Sequence, residues 1–162
     1  MSNSELSADD LEVLKQTALN NPNDVTAHLD LGAGLIGQMK GQEALEAYMK
    51  AVRLQPENAK AHFGLAKAFD ALRRYDEMID AFKEATFLAP DWAEASYNLG
   101  LAWMVVGQYE DAGESLQQTV KIQPDHAEAH RVLSLVYGLT GKKDASEFHK
   151  KEAARLNPEL KA

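Results

Sequence analysis

Apolar and small residues recur along the chain at a fixed interval of 34 residues. One set of positions is always leucine, the position after it is always small, and the third position beyond that is large and apolar. The leucines are Leu31, Leu65, Leu99 and Leu133, the small residues are Gly32, Ala66, Gly100 and Ser134, and the large residues are Leu35, Phe69, Trp103 and Tyr137. Positions one turn apart lie on the same face of a helix. The pattern therefore predicts one amphipathic helix in the first half of every repeat.

The second half of each repeat carries its own recurring apolar positions, which end two residues before a proline. They are Ala44, Met78, Ala112 and Ser146, then Tyr48, Phe82, Leu116 and Lys150, then Ala51, Ala85, Thr119 and Ala153, and finally Leu54, Leu88, Ile122 and Leu156. These positions also follow a helical period. Small side chains allow two helix axes to approach, and large ones fill the space between them. We therefore expect two helices per repeat, packed antiparallel.

All five prolines share the same spacing, at Pro22, Pro56, Pro90, Pro124 and Pro158. A sustained period of this length is typical of helix-turn-helix solenoids, in which each repeat packs on its neighbours. The predicted repeats are residues 25–58, 59–92, 93–126 and 127–160. Gly41 lies two residues later than Gly107 and Gly141 would predict, which leaves the geometry of the first turn between paired helices open.

The repeat resembles the tetratricopeptide repeat (TPR) family. Its pattern of aromatic-x2-Leu-Gly-x2-aromatic, then Ala-x3-aromatic, then Ala and Pro, is matched best by residues 96–124. The sequence departs from it where His28, His62, Ser96 and His130 replace the first aromatic residue, and where Met78 replaces a small one. The resemblance implies an all-α fold, a right-handed TPR superhelix (α-α solenoid) of one capping helix and four antiparallel helix pairs.

Both ends of the chain suit a self-contained array. Residues 1–6 are expected to be disordered, and residues 7–162 to form a single TPR domain whose capping helix spans 7–21. Ser7 and Asp10 are spaced for a capping box at the start of that helix. The last repeat turns polar at Glu147 and Lys150, where no further repeat follows.

TPR arrays bind ligands mainly on the concave side, which is formed by the first helix of each repeat. The residues that the resemblance places there are unusually apolar, and a contiguous apolar surface commonly marks a binding site. The predicted partner-binding residues are Leu29, Ile36, Lys60, Phe63, Lys67, Tyr97, Asn98, Leu101, Met104, Arg131 and Leu135. The lysines and Arg131 suit acidic groups on a ligand, and the alternative is that part of this set packs against neighbouring helices.

Composition excludes several classes of function. The net charge of −8 argues against a nucleic-acid partner, and no apolar run approaches the length of a membrane span. The absence of cysteine excludes disulfides and thiolate metal sites, and we expect a cytoplasmic protein. His126 and His130 stand four apart, but the run does not match the zinc-protease motif, so we expect no metal and no cofactor. His149 is expected to be solvated.

The sequence predicts a non-catalytic scaffold or adaptor that binds a helix or an extended peptide segment of a partner protein in the concave groove. One alternative is a self-assembling homo-oligomer, in which an end helix of one copy enters the groove of another. A second alternative is a small secretion-type TPR chaperone. An enzyme is the least supported class, because no phosphate-binding loop, nucleophile elbow or paired-carboxylate motif is present.

Overall fold

A computed structural model describes residues 7–160 of the chain. The described residues form nine α-helices and a short 3-10 helix, and no strand occurs among them. The helices are α1 Ala8–Asn20, α2 Val25–Gly37, α3 Gly41–Leu54, α4 Ala59–Ala71, α5 Tyr75–Leu88, α6 Ala93–Val105, α7 Tyr109–Ile122, α8 Ala127–Leu139 and α9 Lys143–Leu156, and the 3-10 helix is Pro158–Leu160. The predicted all-α class is confirmed, while the prediction for residues 1–6 lies outside the described residues.

The chain divides into two compact parts, an N-terminal part that ends at Leu88 and a C-terminal part that begins at Ala89. In the N-terminal part each helix from α1 to α5 contacts the next, and α2 also contacts α4. In the C-terminal part α6 to α9 contact one another in sequence. Each part therefore has the nearest-neighbour packing of a repeat array. The single domain stays a prediction.

Glycines permit the closest helix contacts of both parts. In the N-terminal part the Tyr48 ring occupies the space that a Cβ atom on Gly32 or Gly64 would need. In the C-terminal part a Cβ on Gly100 would lie 2.6 Å from Cγ of Leu116. Tyr48 and Leu116 are both buried, and they occupy the same position in their repeats. Gly32 and Gly100 thus let the first helix of a pair approach the second, as the spacing predicts, and Gly64 lets α4 approach α3 of the preceding pair.

The turn between paired helices is the same in all four repeats. Its left-handed residue is Met39, Arg73, Gly107 or Gly141, with φ of 57°, 57°, 78° and 75°. These four positions follow the 34-residue period, so the shift of Gly41 does not change the first turn. Met39 and Arg73 adopt a conformation that favours glycine, and this costs roughly 1–2 kcal/mol for each residue.

Histidines tie the entry loop of three repeats to the first helix. Nε2 of His28, His62 and His130 lies 3.0, 2.8 and 3.1 Å from the carbonyl oxygen of the proline six residues earlier. The carbonyl can only accept, so Nε2 donates in each case. The third repeat has Ser96 at this position, and Nε2 of Gln118 donates to the Pro90 carbonyl instead, at 3.3 Å. The histidine column therefore has a structural role in the three repeats that carry it.

Candidate protein-binding faces

The predicted groove residues of the N-terminal part form what we call the α2–α4 face, which comprises Leu29, Ile36, Lys60, Phe63 and Lys67. Leu29 and Ile36 are half-buried and pack against the core built around Leu35 and Tyr48. Phe63 is also half-buried and meets Phe82 edge to face, with ring centroids 5.4 Å apart.

Cations give the α2–α4 face its electrostatic character. Lys60 is exposed and Lys67 is half-buried, and both are on α4. The apolar members of the face already contribute to the core. Lys60 and Lys67 are thus the two charged members of this face.

The remaining predicted residues form the α6–α8 face, which comprises Tyr97, Asn98, Leu101, Met104, Arg131 and Leu135. Tyr97, Leu101 and Met104 are half-buried against a core built by α7 and α8. Each of these three side chains therefore supports the fold as well as lying on the predicted face, as the packing alternative allowed.

The polar residues of the α6–α8 face already have partners. Asn98 Nδ2 donates to the Glu94 carbonyl at 2.8 Å, and Arg131 Nε donates to Glu128 Oε2 at 2.7 Å. The Tyr97 ring packs on the imidazole of His126, with centroids 4.8 Å apart. Burial, and secondarily the Glu128 carboxylate, raise the pKa of Tyr97 above its usual value. An acidic ligand would have to compete with Glu128 for Arg131.

Exposed aliphatic side chains continue the α6–α8 face beyond the predicted set. Leu135 is 49% exposed, while Val105 and Leu139 are 56% and 55% exposed. Val105 lies one turn after Leu101, and Leu139 lies one turn after Leu135, so the helical period places each pair on one face of its helix. We call Leu101, Val105, Leu135 and Leu139 the apolar ladder.

The matching positions of the N-terminal part carry no such ladder. They are Ala33 and Gly37 on α2, and Lys67 and Ala71 on α4. At these repeat positions, large exposed aliphatic side chains therefore occur in the C-terminal part and not at the matching residues of the N-terminal part.

A pair of histidines on α8 and α9 corrects one sequence-based expectation. Nδ1 of His130 lies 2.8 Å from Nδ1 of His149, and the His149 ring also packs on Tyr137 with centroids 5.5 Å apart. Because Nε2 of His130 carries a proton, its Nδ1 accepts from His149 when both rings are neutral. Burial, and then His130, lower the pKa of His149. The expectation that His149 is solvated was wrong.

The described residues contain no cluster of three or more side chains suited to a metal ion. His126 is instead the N-cap of α8, and its Nδ1 accepts from the backbone N–H of Ala129 at 3.1 Å. Within residues 7–160, no helix is long and apolar enough to cross a membrane.

Comparison with known proteins identifies the repeat. A family model described as tetratricopeptide repeat matches residues 34–91. A crystal structure of MamA superposes with a TM-score of 0.85 at 27% identity, and covers 93% of this chain and 88% of that one. The described residues have the fold of a tetratricopeptide repeat solenoid, and residues 34–91 match the sequence model of that family.

Further MamA structures share the TPR fold. A second crystal structure of MamA gives a TM-score of 0.82 at 27% identity, over 92% of this chain and 81% of the other. MamA residues 41 to the end from Desulfovibrio magneticus RS-1 gives 0.83 at 22% identity, over 95% and 87%. A search of curated protein sequences found no match. The TPR fold and these neighbours support a protein-interaction scaffold.

Proposed function

We propose that this TPR protein is a non-catalytic scaffold whose α6–α8 face binds a helix or an extended segment of a partner protein. The observation that supports this is the apolar ladder, three of whose members stand about half exposed on two first helices of the C-terminal part. An exposed apolar surface of this kind is typical of a docking site for an amphipathic segment.

The exposed area is large enough to affect binding. Burying a whole aliphatic side chain contributes about 1.5–3 kcal/mol, so completing the burial of Val105, Leu135 and Leu139 contributes about 1 kcal/mol each. The sum of about 3 kcal/mol corresponds to more than a hundredfold in Kd. Charged substitutions here should therefore abolish a complex of ordinary affinity.

The α2–α4 face adds a separate preference in this proposal. Lys60 and Lys67 favour a partner segment with acidic side chains or a terminal carboxylate. The net charge of −8 favours a protein ligand over a nucleic acid. No cofactor or catalytic group enters the proposal.

The test compares baits in a pull-down quantified by mass spectrometry. The face variant is Leu135→Lys with Leu139→Lys. The matched control is Met49→Lys with Phe148→Lys, which places two lysines at residues 52% and 58% exposed on second helices of their pairs. Circular dichroism verifies that both variants keep the wild-type helix content.

We expect the wild-type and control baits to retain a partner protein that the face variant does not retain. Equal recovery by all three baits would contradict the proposal. If wild type retains only further copies of itself, light scattering across a concentration series will show whether the same face serves self-assembly.

A further inference from the structure

A pocket opens between α7 and α8 where one repeat lacks a core side chain. The position is filled by Leu45 in the first repeat and Ile79 in the second, each 4% exposed, and it is Gly113 in the third. The resulting pocket measures about 220 Å³. Its lining residues are Tyr109, Glu110, Gly113, Glu114, Gln117, Val136, Tyr137, Thr140 and Lys142.

The neighbouring helix closes only part of this space. Val136 stands where the first repeat's neighbouring helix has Ala68, and so takes up some of the missing volume. A Cβ on Gly113 would still lie 3.5 Å from Cγ1 of Val136 and 3.7 Å from Cε1 of Tyr137, which is ordinary contact distance. The pocket therefore admits further atoms without displacing its walls.

The aromatic wall of the pocket is held in place from two sides. Gln117 Nε2 donates to the hydroxyl of Tyr137, and the Lys142 ammonium stands 5.4 Å from the centroid of the same ring. Tyr137 is also buried at 4% exposure. The wall is thus formed before any ligand arrives, which lowers the entropic cost of binding.

The volume and the rim indicate the ligand class. Pockets for drug-sized molecules measure about 300–1,000 Å³, whereas a cavity of about 150 Å³ holds one benzene. The pocket thus suits a single aliphatic or aromatic group. Glu110 and Glu114 are exposed on the α7 side of the rim and Lys142 on the other, so acidic groups outnumber basic ones.

We propose that the Gly113 pocket receives one apolar anchor side chain of a partner protein that carries a lysine or arginine within one helical turn of the anchor. This inference adds detail to the scaffold function proposed above. It rests on that function in one respect, which is that the occupant of the pocket is a protein. Anchor residues in pockets of this kind commonly dominate the energetics of an interface.

The test titrates the isotope-labelled protein with benzylammonium and follows backbone amide shifts by NMR. Benzyl alcohol and benzoate carry the same ring without the positive charge. The first variant is Gly113→Leu, which restores the side chain found at Leu45, and Gly113→Ala is a smaller obstruction if that variant folds poorly. The second is Glu110→Gln with Glu114→Gln.

We expect saturable shifts around Gly113, Gln117 and Tyr137 in the wild type, and binding about tenfold weaker in Gly113→Leu. Benzoate should bind less tightly than benzylammonium, and the glutamine variant should weaken benzylammonium without affecting benzyl alcohol. Equal shifts in the wild type and Gly113→Leu would overturn the pocket assignment. Equal binding of benzoate and benzylammonium would overturn the preference for a cation.

This probe also separates the two proposals. The face variant Leu135→Lys with Leu139→Lys leaves the Gly113 pocket intact, so it should bind benzylammonium like the wild type. Failure of the partner pull-down together with normal probe binding would contradict the α6–α8 face alone.

Discussion

Two buried glycines of the third repeat should respond to alanine in opposite directions. Gly113 is on α7 beside an open pocket, and Gly100 is on α6 against the side chain of Leu116. Both substitutions add one methyl group inside a helix. The pair therefore isolates the effect of the surrounding space, since helix propensity changes equally in both.

The expected magnitudes follow from these contacts. Alanine is favoured over glycine by about 1 kcal/mol within a helix. At Gly113 the new methyl group lies 3.5 Å from Cγ1 of Val136. Its burial contributes part of the ~0.8 kcal/mol that a buried methylene provides. Gly113→Ala should therefore raise the free energy of unfolding by about 1–1.5 kcal/mol, which is about 3–5 °C in Tm for a chain of this length.

At Gly100 a steric clash opposes the same gain in propensity. The new methyl would lie 2.6 Å from Cγ of Leu116, a residue with no exposed surface, and 3.3 Å from the backbone oxygen of Ala112. Overpacking of this kind typically costs about 1–3 kcal/mol. Gly100→Ala should therefore be neutral or destabilising, by up to about 2 kcal/mol.

Thermal unfolding followed by circular dichroism measures both variants, and native-state hydrogen exchange locates the change along α6 to α8. Gly37→Ala is a control, because no atom lies within 4 Å of its Cβ position outside its own helix and chain neighbours. A fall in Tm for Gly113→Ala, or a rise for Gly100→Ala, would refute the reasoning.

Other predictions concern the turns, the loop ties and the histidine pair. Met39→Gly and Arg73→Gly should each stabilise the protein by about 0.5–1 kcal/mol in urea unfolding, because relief of the left-handed conformation exceeds the added entropy of the unfolded glycine. His62→Ala should cost about 0.5–1.5 kcal/mol in the same assay, since it removes the donor to the Pro56 carbonyl. The pKa of His149 is lowered from 6.5 in the folded protein, so the unfolded chain binds more protons in acid than the folded chain does. The contribution of His149 to the free energy of unfolding should therefore fall as the pH drops below about 6.5. His149→Gln should flatten that part of a pH series of unfolding curves.

Each of these predictions has a clear contrary outcome. Destabilisation by Met39→Gly would show that the turn is not strained. An unchanged midpoint for His62→Ala would show that the tie is replaced by water. An unaltered pH profile for His149→Gln would assign the acid sensitivity to other groups, among which the Glu152 carboxylate lies near this ring.

The helical architecture could be predicted because every repeat carries the same pattern of residue types. Leucine, small and aromatic columns locate both helices of a pair, and prolines mark the loops between pairs. The geometry of the first turn, at Met39, was harder to predict from the sequence, because methionine has no preference for the left-handed region. Its geometry follows from the packing of the helices around it, which a local sequence pattern does not express.

The candidate faces were predicted less completely, since exposure depends on what a neighbouring helix covers. Column position alone does not distinguish Leu101, which packs on the core, from Leu135, which remains half exposed. The pairing of His130 with His149 joins residues 19 apart on two helices. Similarly, the sequence shows only that Gly113 replaces the Leu45 and Ile79 of earlier repeats, and the volume around it is needed to reveal a pocket.

The hydrogen bonds that hold the entry loops to the helices affect how quickly the chain folds. A bond between His62 and Pro56 closes a segment of six residues, and even the bond from Gln118 to Pro90 spans only 28. Contacts this local require little loop closure before they form, and proteins rich in them fold in microseconds to milliseconds. A nascent chain can therefore form the bond of His28, His62 or His130 as soon as the helix after the loop has been synthesised, whereas the Pro90 loop must wait for α7.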